Sequence, residues 1–274
     1  MSLESKFMFI NGKKANFIFG GNGEPVVLIR GWPRNCREND KILMELSKHF
    51  QIFGLNLPGF GNSERLERLS IEDYVVFIDA FSKKLKIPQF HLIGFSYGGM
   101  LSLKYASVHP DKLKKLIIVA PPFYTDMLPL RARSAKVIIW LYKKFSFIND
   151  LFNYIIRNNR IFPVFYKCIS GYDTNNPGQK QDYEYTIEDL RRIKTSDCIE
   201  IVDNVMNLDL RKSCQKIEAR TLILVGSKDR MISEKSGEEL SKLIENSTLI
   251  KVDAEHWNLV ETISEEKLIE FLKD

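Results

Sequence analysis

The sequence predicts an α/β fold, with a mostly parallel sheet covered by helices on both faces. Three observations predict it. Short β-rich segments alternate with helical ones along most of the chain, and such alternation produces right-handed crossovers between parallel strands. Some of the β segments are runs of apolar residues, as at 25–30, where only Arg30 is polar, and such runs are typical of strands buried on both faces. The first two β segments flank Asn11-Gly12, a hairpin signal that adds an antiparallel pair at the start.

The elements follow in a regular order. We predict strands at 6–10, 15–19, 25–30, 51–55, 90–94, 113–120, 220–225 and 248–252. We predict helices between them at about 40–49, 70–85, 97–108 and 236–245, with a last helix capped by Ser264. The second helix begins at a capping box formed by Ser70 and Asp73, and Pro88 marks its end.

Residues 123–207 interrupt this alternation. The segment follows Pro121-Pro122, is helical in pattern and crowded with aromatic residues, and contains no convincing buried strand. We therefore predict an α/β core formed by 1–122 and 208–274, and a helical cap formed by 123–207. Ligands of open α/β sheets bind at the carboxyl ends of the strands, so the cap is expected to act as a lid.

Composition excludes several classes of protein. The 274 residues are 44% hydrophobic and 27% charged, with a net charge of +5. The apolar content excludes a disordered chain, and the net charge is far below that of a dedicated nucleic-acid binder.

The spacing of the four cysteines matches no metal-binding or redox motif; they are Cys36, Cys168, Cys198 and Cys214. We therefore expect reduced thiols that pack as small apolar groups. Without a signal peptide or a membrane-length apolar run, the chain is expected to be soluble and cytoplasmic.

Ser96 is the candidate nucleophile. It lies in Gly94-Phe-Ser-Tyr-Gly-Gly99, directly after a predicted strand. Glycines on both sides let a strand turn sharply into a helix and hold the hydroxyl exposed at the helix N-terminus. An oxyanion formed there is stabilised by the helix dipole and by the N–H of Tyr97. The alternative is a glycine-rich helix start with Ser96 as a simple N-cap, but the strand–turn–helix context favours catalysis.

His256 is the predicted base, by elimination among four histidines. His91 lies about 16 Å from Ser96 along the same strand at about 3.3 Å per residue. His109 lies about 20 Å away along the following helix at about 1.5 Å per residue. His49 lies at the end of the helix predicted at about 40–49, at the opposite edge of the sheet from Ser96. His256 remains, in the loop after the last strand and at the same edge as Ser96.

Asp229 is the predicted acid, which orients the base and stabilises its protonated form. It stands just past the strand at 220–225 and at the same edge, although aspartate is also common in such turns for structural reasons. Asp126 is a rival, because related triads sometimes place the acid after the preceding strand. Asp253 and Glu255 adjoin His256 too closely to reach around to its ring nitrogen.

Together these motifs resemble the α/β-hydrolase family, specifically its serine hydrolases with a helical cap. The resemblance covers nearly the whole chain outside the cap and follows the family order of nucleophile, acid and base. It is reinforced by Gly31-Trp-Pro33 and by the Leu-Pro-Gly-Phe-Gly-Asn-Ser segment at 57–63. The resemblance implies the α/β-hydrolase fold and an oxyanion hole formed by the backbone N–H groups of Trp32 and Tyr97. It implies no metal and no organic cofactor.

Three residues depart from the family pattern. Arg30 stands where the family usually has histidine before the oxyanion loop, and Asn56 where it usually has aspartate after the fourth strand. Glu255 stands where it usually has glycine, and adds a negative charge beside the base. None of the three removes a member of the triad.

The resemblance implies hydrolysis of a small to medium carboxylic ester through an acyl-enzyme on Ser96. Serine argues against the dehalogenases and epoxide hydrolases of the family, which carry aspartate at that position. One alternative is a carbon–carbon bond hydrolase of ring-fission products, since such members often have the His256-Trp257 pair; Gly31-Trp-Pro33, however, lacks their glycine-rich oxyanion loop. A second alternative is a non-catalytic ligand-binding protein on the same fold.

Four aromatic residues are candidates for the substrate pocket: Phe95, Phe123, Trp140 and Trp257. Most other aromatic residues of the cap are expected to form its own core. A predicted helix at about 134–147 carries Ile138, Leu141 and Phe145 on one face and basic residues toward the other.

The positive charge is concentrated in the first half of the cap. Segment 123–160 contains seven basic and two acidic residues, so its excess equals that of the whole chain. A basic amphipathic helix suits an anionic carrier or a membrane surface, and a solvated charged face is the alternative. The predicted partner is therefore a small acyl substrate, with an anionic carrier or membrane at 123–160, and no nucleic acid.

Overall fold

A computed structural model describes residues 2–170, 174–256, 258–263 and 265–274. Its strands are β1 (Glu4–Ile10), β2 (Lys13–Gly20), β3 (Pro25–Ile29), β4 (Gln51–Leu55), β5 (Phe90–Phe95), β6 (Leu113–Val119), β7 (Arg220–Gly226) and β8 (Ser247–Val252). They form one eight-stranded sheet in the order β1-β2-β4-β3-β5-β6-β7-β8. From β4 to β8 neighbouring strands are parallel.

The amino-terminal edge of the sheet is antiparallel, as predicted. β1 pairs with β2 and β2 with β4 in antiparallel register. Asn11 and Gly12 join the first two strands with φ values of 49° and 79°, the left-handed conformations that favour asparagine and glycine in a two-residue hairpin.

The sheet is covered on both faces. Successive residues of β3 belong to different apolar clusters: Val27 and Ile29 pack in one, Val26 and Leu28 in the other. Alternate side chains of a strand point to opposite faces, so the two clusters are the two sides of the sheet. This confirms the predicted α/β architecture with a mostly parallel sheet.

The helices around the sheet are α1 (Lys41–Leu46), α2 (Ile71–Leu85), α3 (Tyr97–Val108), α11 (Glu234–Leu243), α12 (Leu259–Thr262) and α13 (Glu265–Lys273). Ser70 caps α2 as predicted, its Oγ accepting the N–H of Asp73 at 3.1 Å. α1 is shorter than predicted, because the N–H groups of Lys48 and His49 bond to carbonyls three residues back, which tightens the last turn. α11 begins two residues before its predicted start. The predicted cap Ser264 lies outside the described residues.

Helices fill the segment between β6 and β7, namely α4 (Leu130–Arg133), α5 (Ala135–Lys144), α6 (Ser146–Arg157), α7 (Ile161–Ser170), α8 (Pro177–Arg192), α9 (Thr195–Met206) and α10 (Arg211–Cys214). The single helix predicted at about 134–147 is wrong, because Phe145 is extended (φ −125°, ψ 114°) and separates α5 from α6. The buried face also differs: Ile139 is buried and Ile138 exposed, since α5 packs against α6 and α9. The division at 123–207 into core and cap remains a prediction.

The cysteines whose side chains are described are buried. Burial raises the pKa of the Cys198 and Cys214 thiols to about 12 and that of Cys36 well above its usual range. These thiols therefore stay protonated and pack as apolar groups. Among the described helices, none combines the length and the apolar character needed to cross a bilayer.

Candidate active site

Ser96 occupies a strained turn between β5 and α3. Its backbone has φ 47° and ψ −113°, a region that non-glycine residues rarely adopt. The turn is held by hydrogen bonds from the Ser96 N–H to the Val119 carbonyl (2.8 Å) and from the Met100 N–H to the Ser96 carbonyl (2.9 Å). Its side chain makes no capping bond to α3. This excludes the simple N-cap interpretation and leaves the hydroxyl available for another partner.

Glycines make this turn possible through close backbone contacts. A Cβ at Gly94 would lie 2.4 Å from Ser102 Oγ, and one at Gly98 would lie 2.4 Å from the Ile29 carbonyl oxygen. Both distances are too short for any side chain. The two glycines therefore let α3 pack directly against the ends of β3 and β5, with Ser96 at the tip.

The structure brings Ser96, His256 and Asp229 together in a line. His256 Nε2 lies 3.1 Å from Ser96 Oγ, and His256 Nδ1 lies 2.6 Å from Asp229 Oδ2. The other oxygen of Asp229, Oδ1, accepts the backbone N–H groups of Met231 (2.7 Å) and Ile232 (2.9 Å). The carboxylate is completely buried and each of its oxygens is engaged. This arrangement orients the imidazole to take a proton from Ser96.

The rival acids point elsewhere. Asp126 is 80% exposed and pairs with Arg133 at 3.2 Å. Asp253 is 73% exposed and pairs with Lys228 at 2.9 Å. Of the candidate acids, Asp229 is therefore the one that lies beside His256.

The predicted oxyanion donors, Trp32 and Tyr97, belong to segments that adjoin Ser96. Tyr97 begins α3, and the first N–H groups of a helix have no intrahelical acceptor. Trp32 follows Gly31, where a Cβ would lie 2.9 Å from Ser96 Cβ, so the loop that carries Trp32 passes directly against Ser96. The buried Tyr97 ring stacks on Phe60 with centroids 6.5 Å apart. Trp32 and Tyr97 remain the predicted donors.

The four predicted pocket residues have different surroundings. Phe95 is buried at the end of β5, with the Arg30 guanidinium 5.3 Å above its ring. Phe123 is completely buried in the apolar core and packs on Tyr124. Trp140 is 53% exposed on α5. Trp257 lies outside the described residues. Phe123 is thus placed as a core residue and Trp140 as a surface residue, and their part in a pocket stays a prediction.

Arg30 anchors the base of the oxyanion loop. Its guanidinium makes two hydrogen bonds to the carboxylate of Asp40, one of them from Nε at 3.0 Å. Asp40 is nearly buried and immediately precedes α1. The arginine that departs from the family pattern therefore ties the loop before Gly31 to α1.

Asn56 joins the oxyanion loop to the hairpin. Its Oδ1 accepts the Cys36 N–H at 2.7 Å, and its Nδ2 donates to Asn16 Oδ1 at 2.7 Å and to the Cys36 carbonyl at 3.3 Å. Asn56 and Asn16 are both buried. An amide is needed here because a carboxylate only accepts hydrogen bonds.

Replacing Asn56 with aspartate, the residue usual in the family, is expected to destabilise this chain. The carboxylate would face the Asn16 and Cys36 oxygens without a proton to donate, and such a loss of buried hydrogen bonds costs about 1–3 kcal/mol. Urea unfolding measures the change, with Asn62→Asp as a control at an exposed position of the same region. A variant as stable as the control would contradict this interpretation of the network.

Asp189 on α8 connects the helical segment to the same loop. Its completely buried carboxylate accepts two hydrogen bonds from Arg37 (2.6 and 2.9 Å). It also accepts the Asn35 backbone N–H at 3.2 Å and Asn35 Nδ2 at 2.8 Å. No local sequence pattern indicates this cluster, because Arg37 and Asp189 are 152 positions apart in the chain. Asp189 therefore holds the loop that carries Trp32.

Asp189→Asn is expected to lower the free energy of unfolding by about 3 kcal/mol, because it removes the buried carboxylate that accepts two hydrogen bonds from Arg37 and leaves that guanidinium only the exposed carboxylate of Glu188. We also expect a lower kcat, since the oxyanion loop loses its anchor. Glu188→Gln is the matched control: Glu188 is 46% exposed and 3.5 Å from Arg37, so its loss should cost less than about 1 kcal/mol. Equal effects of the two substitutions would refute the anchoring role.

Within the described ranges, no group of three or more histidine, cysteine, aspartate or glutamate side chains is arranged to hold a metal ion.

Residues 24–160 match the model of a family described as having the alpha/beta hydrolase fold. A pimeloyl-[acyl-carrier protein] methyl ester esterase from Aeromonas salmonicida is 36% identical over 101 residues, which cover 36% of this chain and 39% of that esterase. The AB hydrolase superfamily protein YisY from Bacillus subtilis is 27% identical over 251 residues, covering 84% of this chain and 83% of YisY.

Solved structures share the fold. A meta-cleavage product hydrolase from Pseudomonas fluorescens IP01 superposes with a TM-score of 0.69 at 19% identity, covering 98% of this chain and 97% of that one. At that identity the likeness concerns the arrangement of helices and strands.

Proposed function

This chain belongs to the alpha/beta hydrolase fold family, and we propose that it is a serine hydrolase that cleaves small to medium carboxylic esters. The observation that carries the proposal is the hydrogen-bonded line from Ser96 Oγ through both nitrogens of His256 to the buried carboxylate of Asp229. Binding a ligand requires no such chain of hydrogen bonds, whereas activating a hydroxyl nucleophile does.

The geometry supports a two-step acyl transfer. Ser96 Oγ attacks the ester carbonyl while its proton passes to His256 Nε2, and Asp229 stabilises the resulting imidazolium through Nδ1–H. The oxyanion would be held by the N–H groups of Trp32 and Tyr97 and by the positive end of α3. The alcohol leaves with the proton from His256. Water then attacks the acyl carbonyl while His256 takes its proton. The bond between the acyl carbon and Ser96 Oγ breaks, His256 returns the proton to Ser96 Oγ, and the carboxylic acid leaves.

An ester is favoured over other acyl compounds by the relative named as a methyl ester esterase. The carbon–carbon bond hydrolases remain a second candidate, because one of them shares the fold and because this chain has the His256-Trp257 pair. The two candidates differ in the bond that the activated site breaks.

The deciding experiment combines a covalent probe with two substrate types. A fluorophosphonate is expected to add to Ser96, as detected by intact mass and peptide mapping. Hydrolysis of p-nitrophenyl esters from acetyl to dodecanoyl should be faster than hydrolysis of a vinylogous diketone. Absence of an adduct under conditions that label a control esterase would refute the proposal, and faster turnover of the diketone would assign the second candidate.

A further inference from the structure

Large apolar side chains are exposed in one region of the molecule. Of the sixteen exposed large apolar residues in the described ranges, ten fall between 130 and 164. Five of these form what we call the apolar ridge: Trp140, Phe145, Phe147, Leu151 and Tyr154, which are 53%, 36%, 65%, 52% and 60% exposed. Such clustering exceeds the scattered apolar exposure that is ordinary on a protein surface.

The apolar ridge is continuous across the turn from α5 to α6. The Trp140 and Phe145 rings are 6.3 Å apart and those of Phe145 and Phe147 are 5.7 Å apart. On α6, Phe147, Leu151 and Tyr154 follow at helical spacing and therefore share one face. Amphipathic helices usually bury such a face, but here it is exposed to solvent.

Positive charge borders the apolar ridge. Lys144 Nζ lies 4.5 Å from the centroid of the Trp140 ring and 5.5 Å from that of Phe145. Of the two acidic residues among 123–160, Asp126 is paired with Arg133, which leaves Asp150 against six positive residues. One of these six, Lys143, pairs with Asp203 at 2.7 Å.

We propose that the apolar ridge and its basic border dock on an anionic phospholipid bilayer. Aromatic and aliphatic side chains enter the boundary between headgroups and acyl chains, and lysines remain at the anionic headgroups, as in helices that lie in the membrane interface. Docking is independent of the proposed hydrolysis and goes beyond it.

Two other occupants fit the surface less well. A second copy of this chain would bring two equally basic surfaces together, which repel each other. An acidic carrier protein complements the charge but leaves the aromatic residues of the ridge without an apolar counterpart, whereas a bilayer provides both.

The test measures sedimentation of the full chain with vesicles of phosphatidylcholine alone, or of three parts phosphatidylcholine to one part phosphatidylglycerol, at low and high salt. The ridge variant is Phe147→Ser with Leu151→Ser. The charge variant is Lys136→Glu with Lys144→Glu, at the two lysines that lie four residues before and after Trp140 on α5 and so share its side of the helix. Matched controls are Phe9→Ser with Val76→Ser, at similarly exposed apolar positions elsewhere, and Lys84→Glu with Lys216→Glu, which reverses the charge of two exposed lysines elsewhere. Thermal unfolding followed by circular dichroism checks that each variant is folded.

The wild type is expected to sediment with anionic vesicles and to be released by salt. Each of the two test variants should bind them about tenfold more weakly or worse, and the controls should bind within about twofold of the wild type. Ser96→Ala should bind like the wild type, which separates this result from any failure of hydrolysis. Wild type that stays in the supernatant would overturn the proposal, as would equal binding by the ridge variant and its control. Self-association lost in the ridge variant, without vesicle binding, would assign the surface to a second copy.

Discussion

Ser96→Ala is expected to lower kcat for p-nitrophenyl esters by about four to six orders of magnitude, the loss found when a triad nucleophile is removed. The hydroxyl is the group that His256 Nε2 faces at 3.1 Å, and no other described side chain is hydrogen-bonded to that nitrogen. Only the slow reaction assisted by the oxyanion donors and by substrate binding should remain. Steady-state kinetics and loss of fluorophosphonate labelling both measure the change.

Ser227→Ala is the matched control for Ser96→Ala. Ser227 is exposed and bonds to Asp253, so its replacement should leave kcat within about twofold of the wild type. The same experiment separates an enzyme from a non-catalytic ligand-binding protein. If Ser96→Ala keeps both ligand affinity and biological effect, and the wild type shows no turnover, the chain uses this fold for binding alone.

The elements that could be predicted are those determined by neighbouring residues. The Asn11-Gly12 hairpin, the Ser70 cap and the turn at Ser96 each depend on the conformations open to a few adjacent residues. The edge at which Ser96, Asp229 and His256 meet also followed from the sequence, because the carboxyl ends of parallel strands lie together.

The features that could not be predicted depend on contacts between distant segments. The break at Phe145 and the burial of Ile139 rather than Ile138 follow from packing of α5 on α6 and α9, which no local pattern encodes. The Asp189–Arg37 pair likewise forms only when α8 meets the oxyanion loop. Asp229 and Asp126 each follow a strand and each lie between Ser96 and His256 in the chain, so only the hydrogen bond between His256 Nδ1 and Asp229 Oδ2 decides between them.

Asp229→Asn is expected to lower kcat by about 10⁴-fold, the loss typical when a triad aspartate becomes an amide, while leaving the fold intact. The backbone N–H groups of Met231 and Ile232 both donate to Oδ1, so an asparagine would keep its carbonyl oxygen there. Its NH₂ group would then face His256 Nδ1 and donate to it. The imidazole proton would be forced onto Nε2, where it blocks acceptance of the Ser96 proton.

The expected fall in kcat depends on the hydrogen bond from the Asp229 side chain to His256, and the loss of a negative charge near the base would not by itself produce it. Asp253→Asn removes a carboxylate from the same edge of the sheet, but Asp253 is 73% exposed and pairs with Lys228, so kcat should change by less than about twofold. The free energy of unfolding of Asp229→Asn should stay close to that of the wild type, because both backbone donors keep their acceptor. A kcat within tenfold of the wild type would show that His256 does not depend on Asp229 for its tautomer, and the proposed proton transfer from Ser96 would then need another acid.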